Sequence, residues 1–289
     1  MHGSGGQISI FGTRMNRILI GLALGAAIIG ALYLGEWYSL VLFSIVVLVG
    51  QQEMSRLSQQ MLKVESTLRA VIFITLGTLT FAYLSWLLLS DRTQVLSHQS
   101  FIFTLLLVTT VYYIMRIIGL YSVTGVSYLK EMIDALVYVP LSMVLAYWIC
   151  VRSGLWESST LLGIFILIWS TDSGAYYAGR TLGKRRLFPR ISPNKTWEGA
   201  IGGLLCAMII SVGLSQIFLV LSSLDWLIIS VIVWAMGTLG DLIESHYKRM
   251  AGVKDSGTLL GDHGGVLDRF DAFLCAVPFV AAYLWLVDS

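Results

Sequence analysis

Charge is what this sequence of 289 residues has least of: Lys, Arg, Asp and Glu together make up 12%. Soluble domains carry about 25%. At half that density too little polar surface remains to keep a folded chain of this size in water. A soluble enzyme, a disordered regulator and a basic nucleic-acid binder are therefore excluded. Cysteine is almost as scarce. Cys150, Cys206 and Cys275 lie far apart inside apolar stretches, with no Cys-x-x-Cys pair. That removes a disulfide framework and a zinc site and leaves three small packing residues. The four histidines are scattered, and a net charge of +2 names no partner.

What is abundant is apolar: 56% of the residues are hydrophobic, which reads as an all-α, polytopic integral membrane protein. Met1–Gly6 looks like an appended tag with Met15 as a native start, so residues 1–14 are set aside. A span needs about 20 mostly apolar residues. Nine are expected, near 17–35, 38–50, 69–89, 101–121, 134–151, 159–178, 199–221, 225–243 and 270–287. Nine spans place 17 of the 19 Lys and Arg residues on the side of the N-terminus, leaving Arg92 and Arg152 on the other. By the positive-inside rule the N-terminus is cytoplasmic and the C-terminus lies on the far side. Residues 15–158 form an N-terminal region of five spans, and 159–289 a C-terminal region of four. Met54, Leu57, Met61 and Val64 recur at helical spacing between polar residues, which predicts an interfacial helix near 51–66. Gly21-x-x-x-Gly25 and Gly199-x-x-x-Gly203 suit close helix packing.

The chemistry gathers in the second half. Asp172 sits near the end of an apolar helix, where a carboxylate needs a cation or a wet cavity. The basic loop Gly179–Glu198 ends in Ser192-Pro193-Asn194-Lys195-Thr196-Trp197-Glu198. Ser before Pro predicts a helix start, with Ser192 as cap and the free N–H groups of Asn194 and Lys195 offered to phosphate. Gly179-x-x-x-Gly183-Lys184 is one residue too short for a nucleotide-binding P-loop. Asp241, Glu244, Ser245 and Lys248 share one helical face. With Asp172, Glu198, Asp255, Asp262, Asp268 and Asp271 this boundary collects 8 of the chain's 17 acidic residues. Two carboxylates about 4 Å apart repel by about 4 kcal/mol at an effective dielectric of about 20. Lys and Arg offset part of that. Oxygen ligands with few histidines point to Mg²⁺ for the rest, as phosphoryl chemistry uses it.

The run Ser245-His246-Tyr247-Lys248-Arg249, Lys254-Asp255-Ser256-Gly257, Leu260-Gly261-Asp262-His263-Gly264-Gly265-Val266-Leu267-Asp268-Arg269-Phe270-Asp271 closely resembles the signature of the phosphatidate cytidylyltransferases, or CDP-diacylglycerol synthases. Asp172-Ser173-Gly174-Ala175-Tyr176 and Ser192-Pro193-Asn194-Lys195-Thr196-Trp197-Glu198-Gly199 match that family's upstream blocks in order. The likeness covers about residues 165–275. One departure is Gly261-Asp262-His263 where the family usually reads Pro-Gly-His.

The resemblance implies that CTP and phosphatidate react to CDP-diacylglycerol and pyrophosphate at the cytoplasmic face of a bacterial inner membrane. It implies Mg²⁺, with room for a second cation, held by Asp241 and Asp268 with Asp271 and Asp172 completing the shell. Lys195, Lys248 and Arg249 would act on the reacting phosphates. Ser192, Asn194, Lys195, Lys254, Asp255, Gly257, His263, Gly264, Gly265 and Arg269 would bind or orient the nucleotide, the glycines by letting backbone approach phosphate. A homodimer is compatible with it. Rivals are a CTP-dependent polyprenol- or phytyl-type lipid kinase and an ion-conducting transporter.

Overall fold

The computed structural model describes residues 5–90, 99–120, 128–261 and 264–288. The chain is a bundle of long helices: α1 (Gly5–Leu34), α2 (Glu36–Leu62), α3 (Thr67–Ser90), α4 (Gln99–Gly119), α5 (Tyr128–Leu136), which runs through a π turn (Val137–Leu141) into α6 (Ser142–Val151), then α7 (Ser159–Leu182), α8 (Trp197–Ile217), α9 (Ser223–Met250) and α10 (Leu267–Asp288). With α5 and α6 counted as one continuous rod, the described residues hold the nine expected helices. Seven of the nine are long and apolar enough to cross a membrane. α7 falls outside that set because Ser170, Thr171, Asp172, Ser173 and Arg180 crowd its second half. α1 begins at Gly5, upstream of the expected boundary. The one sheet among the described residues is an antiparallel hairpin of β1 (Arg186–Phe188) and β2 (Ser192–Thr196).

The α5–α6 rod is the centre of the bundle. Every residue from Val137 to Val151 is buried. Pro140 explains the π turn. Proline has no N–H to continue the ladder and its ring crowds the preceding carbonyl, so the turn widens. In an i→i−5 turn the missing N–H at 140 would have served the carbonyl of Ala135. Gln51 of α2 serves it instead, Nε2 donating to Ala135 O at 2.7 Å. Gly77 of α3 makes room: a Cβ there would come within 2.7 Å of Ala135 O and collide with the Gln51 amide.

The expected interfacial helix over 51–66 does not exist as a separate element. α2 continues unbroken to Leu62 and ends at Lys63 in the left-handed conformation, φ 54°. Gln51, Glu53, Met54, Ser55, Leu57 and Ser58 are all buried. Gln51, Glu53, Ser55 and Ser58 are turned into the protein, while Arg56, Gln60 and Lys63 stay exposed.

α7 and α8 lie in close contact. A Cβ on Gly199 would stand 2.9 Å from Ala175 O, and one on Gly203 2.8 Å from Thr171 O. The Gly199-x-x-x-Gly203 pair thus packs as expected. Gly25 of the first such pair meets only Trp169, at 3.8 Å. α9 and α10 approach equally tightly at Gly240, whose Cβ would lie 2.5 Å from Asp271 O.

Gln51→Leu removes the donor to the Ala135 carbonyl and leaves it buried without a partner. We expect a loss of about 1–3 kcal/mol, read as a lower thermal midpoint in detergent, with the helix content unchanged at low temperature.

Candidate active site

The hairpin places Lys195. Arg186 pairs with Thr196 and Phe188 with Ser192 across it, and Trp197 N donates to Arg185 O at 2.9 Å. Ser192 and Pro193 are therefore strand residues and not a helix start. A two-stranded hairpin has open edges, where a proline without N–H breaks no ladder. The helix cap falls four residues later: Thr196 Oγ1 accepts from Gly199 N at 3.1 Å. The free N–H groups expected at Asn194 and Lys195 are thus absent as a helix terminus. Glu198 in the first turn of α8 accepts from the backbone N–H of Lys184 at 2.9 Å, which ties the hairpin base to the helix.

Lys195 points across to α9, where its Nζ meets Asp241 Oδ2 at 2.6 Å. This pair borders a cavity of about 560 Å³ between α7, the hairpin, α8 and α9. Asp172, Tyr176, Arg180, Arg186, Asn194 and Thr238 share its lining. Asp172 is exposed to it and lies within electrostatic reach of Asp241, Lys195 and Arg269. Asp271, brought close by the Gly240 contact, is in reach of Asp241, Lys195 and Asp172.

A second, drier group lies beside this cavity. Lys248 of α9 donates to Glu244 Oε2 and to Asp268 Oδ1, both at 2.6 Å. The other oxygen of Asp268 accepts from Ser256 N at 2.9 Å and Gly265 N at 2.7 Å. Ser256 Oγ stands 3.0 Å from both Asp268 Oδ2 and Glu53 Oε2, so its single proton is shared. Glu53 also accepts from Val266 N at 3.0 Å and Leu267 N at 2.8 Å. Glu244 is in electrostatic reach of both Asp268 and Asp271, so the acids of the two groups form one continuous chain.

The glycines of the signature answer to these carboxylates. A Cβ on Gly257 would lie 2.5 Å from Glu53 Oε1, and one on Gly265 2.5 Å from Glu53 Cδ. Gly264 has φ +80° and faces the Asp268 carboxyl, whose Cγ would be 3.1 Å from a Cβ. The crowding here comes from the protein's own acids, where the sequence had suggested approaching phosphate.

Other expected residues sit further out. Ser192 is outside the cavity lining. Arg249 Nη1 donates to Val253 O at 3.2 Å and closes the turn after α9. Lys254 and Asp255 are exposed on the following loop. His263, with Asp262, lies outside the described residues. The sequence reading missed Glu53, taken for part of a surface helix, and gave no site role to Arg180 or to Arg186, one residue in a basic run. The clue to Glu53 was an isolated acid in an otherwise acid-free stretch of α2.

The donor set at the cavity fits a hard divalent ion such as Mg²⁺. Its side-chain donors are oxygen-based, with the Asp172 and Asp241 carboxylates beside hydroxyls and the Asn194 amide, and the Lys195 ammonium on Asp241 marks where positive charge is needed. Asp241 and Asp172, which line the cavity, are the residues that would hold it, with Asp271 in electrostatic reach. Asp268 fits poorly, since both its oxygens already accept from Lys248, Ser256 and Gly265. Among the described residues no three His, Cys, Asp or Glu side chains are arranged to hold a metal. Mg²⁺ commonly takes one or two carboxylates and completes its shell with water and phosphate.

Fold and site together define an integral membrane protein of long helices whose polar cavity combines carboxylates with Lys and Arg, the complement of a phosphate-bearing ligand and its cation. The chain belongs to the cytidylyltransferase family, whose sequence profile matches residues 15–287. It is similar to the phosphatidate cytidylyltransferase of Haemophilus influenzae, 47% identical over 136 residues, or 44% of this chain and 46% of that protein. It is also similar to those of Staphylococcus saprophyticus, 49% over 122 residues (42% and 46%), and Bacillus subtilis, 50% over 120 residues (40% and 43%). The chain spans less than half the length of these curated relatives in the matched stretches.

Asp268→Asn keeps the volume of the carboxyl but withdraws the charge facing Lys248. We expect a loss of stability of about 3–5 kcal/mol, seen as a lower thermal midpoint. An unchanged midpoint would return Asp268 to the set of free ligands.

Proposed function

We propose that the chain is a phosphatidate cytidylyltransferase, joining CTP and phosphatidate to give CDP-diacylglycerol and pyrophosphate. The observation that carries this reading is the Lys195–Asp241 pair at the border of the 560 Å³ cavity, with Arg180 and Arg186 in the same wall. The family and the names of the relatives supply the substrates. Lys195, Arg180 and Arg186 bind the triphosphate and hold its α-phosphorus in line with the lipid phosphate. A phosphatidate oxygen forms the new P–O bond as the bond between the α-phosphorus and its bridging oxygen breaks, and pyrophosphate carries that electron pair away. The nucleophile is already anionic near neutral pH, so no general base is needed. Asp241 and Asp172 would hold Mg²⁺, which would supply charge neutralisation for the phosphates. Lys195 exchanges its Asp241 contact for a phosphate oxygen when CTP enters. The cavity opens to the cytoplasmic side of a bacterial inner membrane, the face that holds CTP, and the apolar outer surfaces of α7 and α8 admit the lipid from the bilayer.

Two assays test this. With the pure protein in mixed micelles, pyrophosphate release should need both Mg²⁺ and added phosphatidate. Label from the CTP α-phosphate should appear in the lipid; release of CDP with label from the γ-phosphate in the lipid instead would establish a lipid kinase. Asp241→Asn should lower kcat at least about 10²-fold. Lys195→Ala should raise KM for CTP about 10-fold, the equivalent of about 1.4 kcal/mol; a normal KM would place the triphosphate elsewhere.

A further inference from the structure

α10 starts without a cap of its own. Gly264, Gly265 and Val266 precede Leu267, and none has a side chain that can accept from the helix's first N–H groups. Those groups cannot stay unpaired where they are buried. They are met from α2, more than two hundred residues away in sequence: Glu53 takes Val266 N on one oxygen and Leu267 N on the other. Glu53 is 3% exposed, and its second oxygen also meets Ser256 Oγ. Ser256 in turn holds Asp268 through both its N–H and its hydroxyl. Two points of the connection between α9 and α10 are therefore pinned to one carboxylate. Gly257 and Gly265 are stripped of side chains at the two places where that carboxylate passes.

We propose that Glu53 is a positioning residue for the reaction. By clamping Ser256 and the start of α10 it sets that helix, and with it Asp271, which follows Leu267 by one turn and packs on Gly240 beside Asp241, so that α2 determines the geometry of the catalytic half. Glu53 lies outside the cavity lining. Its effect is transmitted through the loop and the α10 start. A merely structural carboxylate would alter how much protein folds. A positioning carboxylate alters the rate of the protein that has folded, because displacement by about 1 Å at a catalytic group costs about 10²-fold.

The test uses the full chain in mixed micelles and rests on the proposed activity for its kinetic arm only. Glu53→Gln replaces one acceptor oxygen by a donor, facing N–H groups that need acceptors. We expect kcat per folded molecule to fall about 10²-fold while KM for CTP changes less than about 3-fold. Ser256→Ala, the milder variant, should lower kcat about 10-fold. The double variant should be no slower than Glu53→Gln alone, because both act through one link. Independent of any activity, backbone amide exchange at Val266 and Leu267 should be at least about 10-fold faster in Glu53→Gln than in the parent. If Glu53→Gln does not fold, Ser256→Ala decides the matter by its own kcat. Unchanged kcat in the folded variants, strictly multiplicative losses in the double variant, or unchanged exchange at Val266 and Leu267 would each overturn the proposal. Absence of pyrophosphate release in the parent protein would instead defeat the proposed activity, leaving the exchange measurement to judge the clamp.

Discussion

An unpaired buried ion costs several kcal/mol, and around the start of α10 the buried carboxylates of Glu53 and Asp268 are met by donors on both oxygens. That constraint organises the catalytic half. Lys248 stands between Glu244 and Asp268, 2.6 Å from each. Glu53 and Asp268 divide the N–H groups of the loop and of the α10 start between them. Glu53 and Asp268 are each met by donors from other segments, so the bundle closes around them in one arrangement. The acids left near the cavity, Asp172, Asp241 and Asp271, face a single lysine, Lys195, with Arg269 in reach of Asp172.

This division separates two kinds of carboxylate that look alike in the signature. Glu53 and Asp268, met by donors on both oxygens, fix the backbone. Those with positive charge still to gain are placed where a nucleotide and a cation could bring it. The same logic appears in the N-terminal half, where Asp134 of α5 accepts from Tyr112 of α4 and Tyr247 of α9 and pairs with Arg116. The Arg116 guanidinium lies over both rings, 5.0 and 5.4 Å from their centroids. α9 is thus held by polar contacts on two faces, one toward Asp134 and one toward Asp268.

The nine helices were legible in the sequence because apolar length is a local property, and α7 and α8 could be paired through the small residues at Gly199 and Gly203. Three features were not legible, each for a physical reason. Helical spacing over 51–66 shows that the segment is a helix, but polar side chains there can face water or buried backbone groups, and Gln51 meets a carbonyl and Glu53 two N–H groups. Ser-Pro chemistry suits a helix start and equally an open strand edge, and the pairing of Ser192 with Phe188 decides for the strand. Finally, signature acids announce chemistry without saying which of them is already committed. Asp268 is spent on Lys248, Ser256 and Gly265, a fact that depends on contacts between distant segments.

The central claim is that cation and triphosphate gather at Asp241 and Asp172, while Asp268 remains bound to Lys248 and Ser256. Anomalous diffraction from crystals grown with Mn²⁺ and CTP tests it most directly. The account predicts the anomalous peak beside Asp241, with Lys195 turned toward phosphate and the Lys248–Asp268 contact intact. A peak seated between Asp268 and Glu244, with Lys248 displaced, would contradict it.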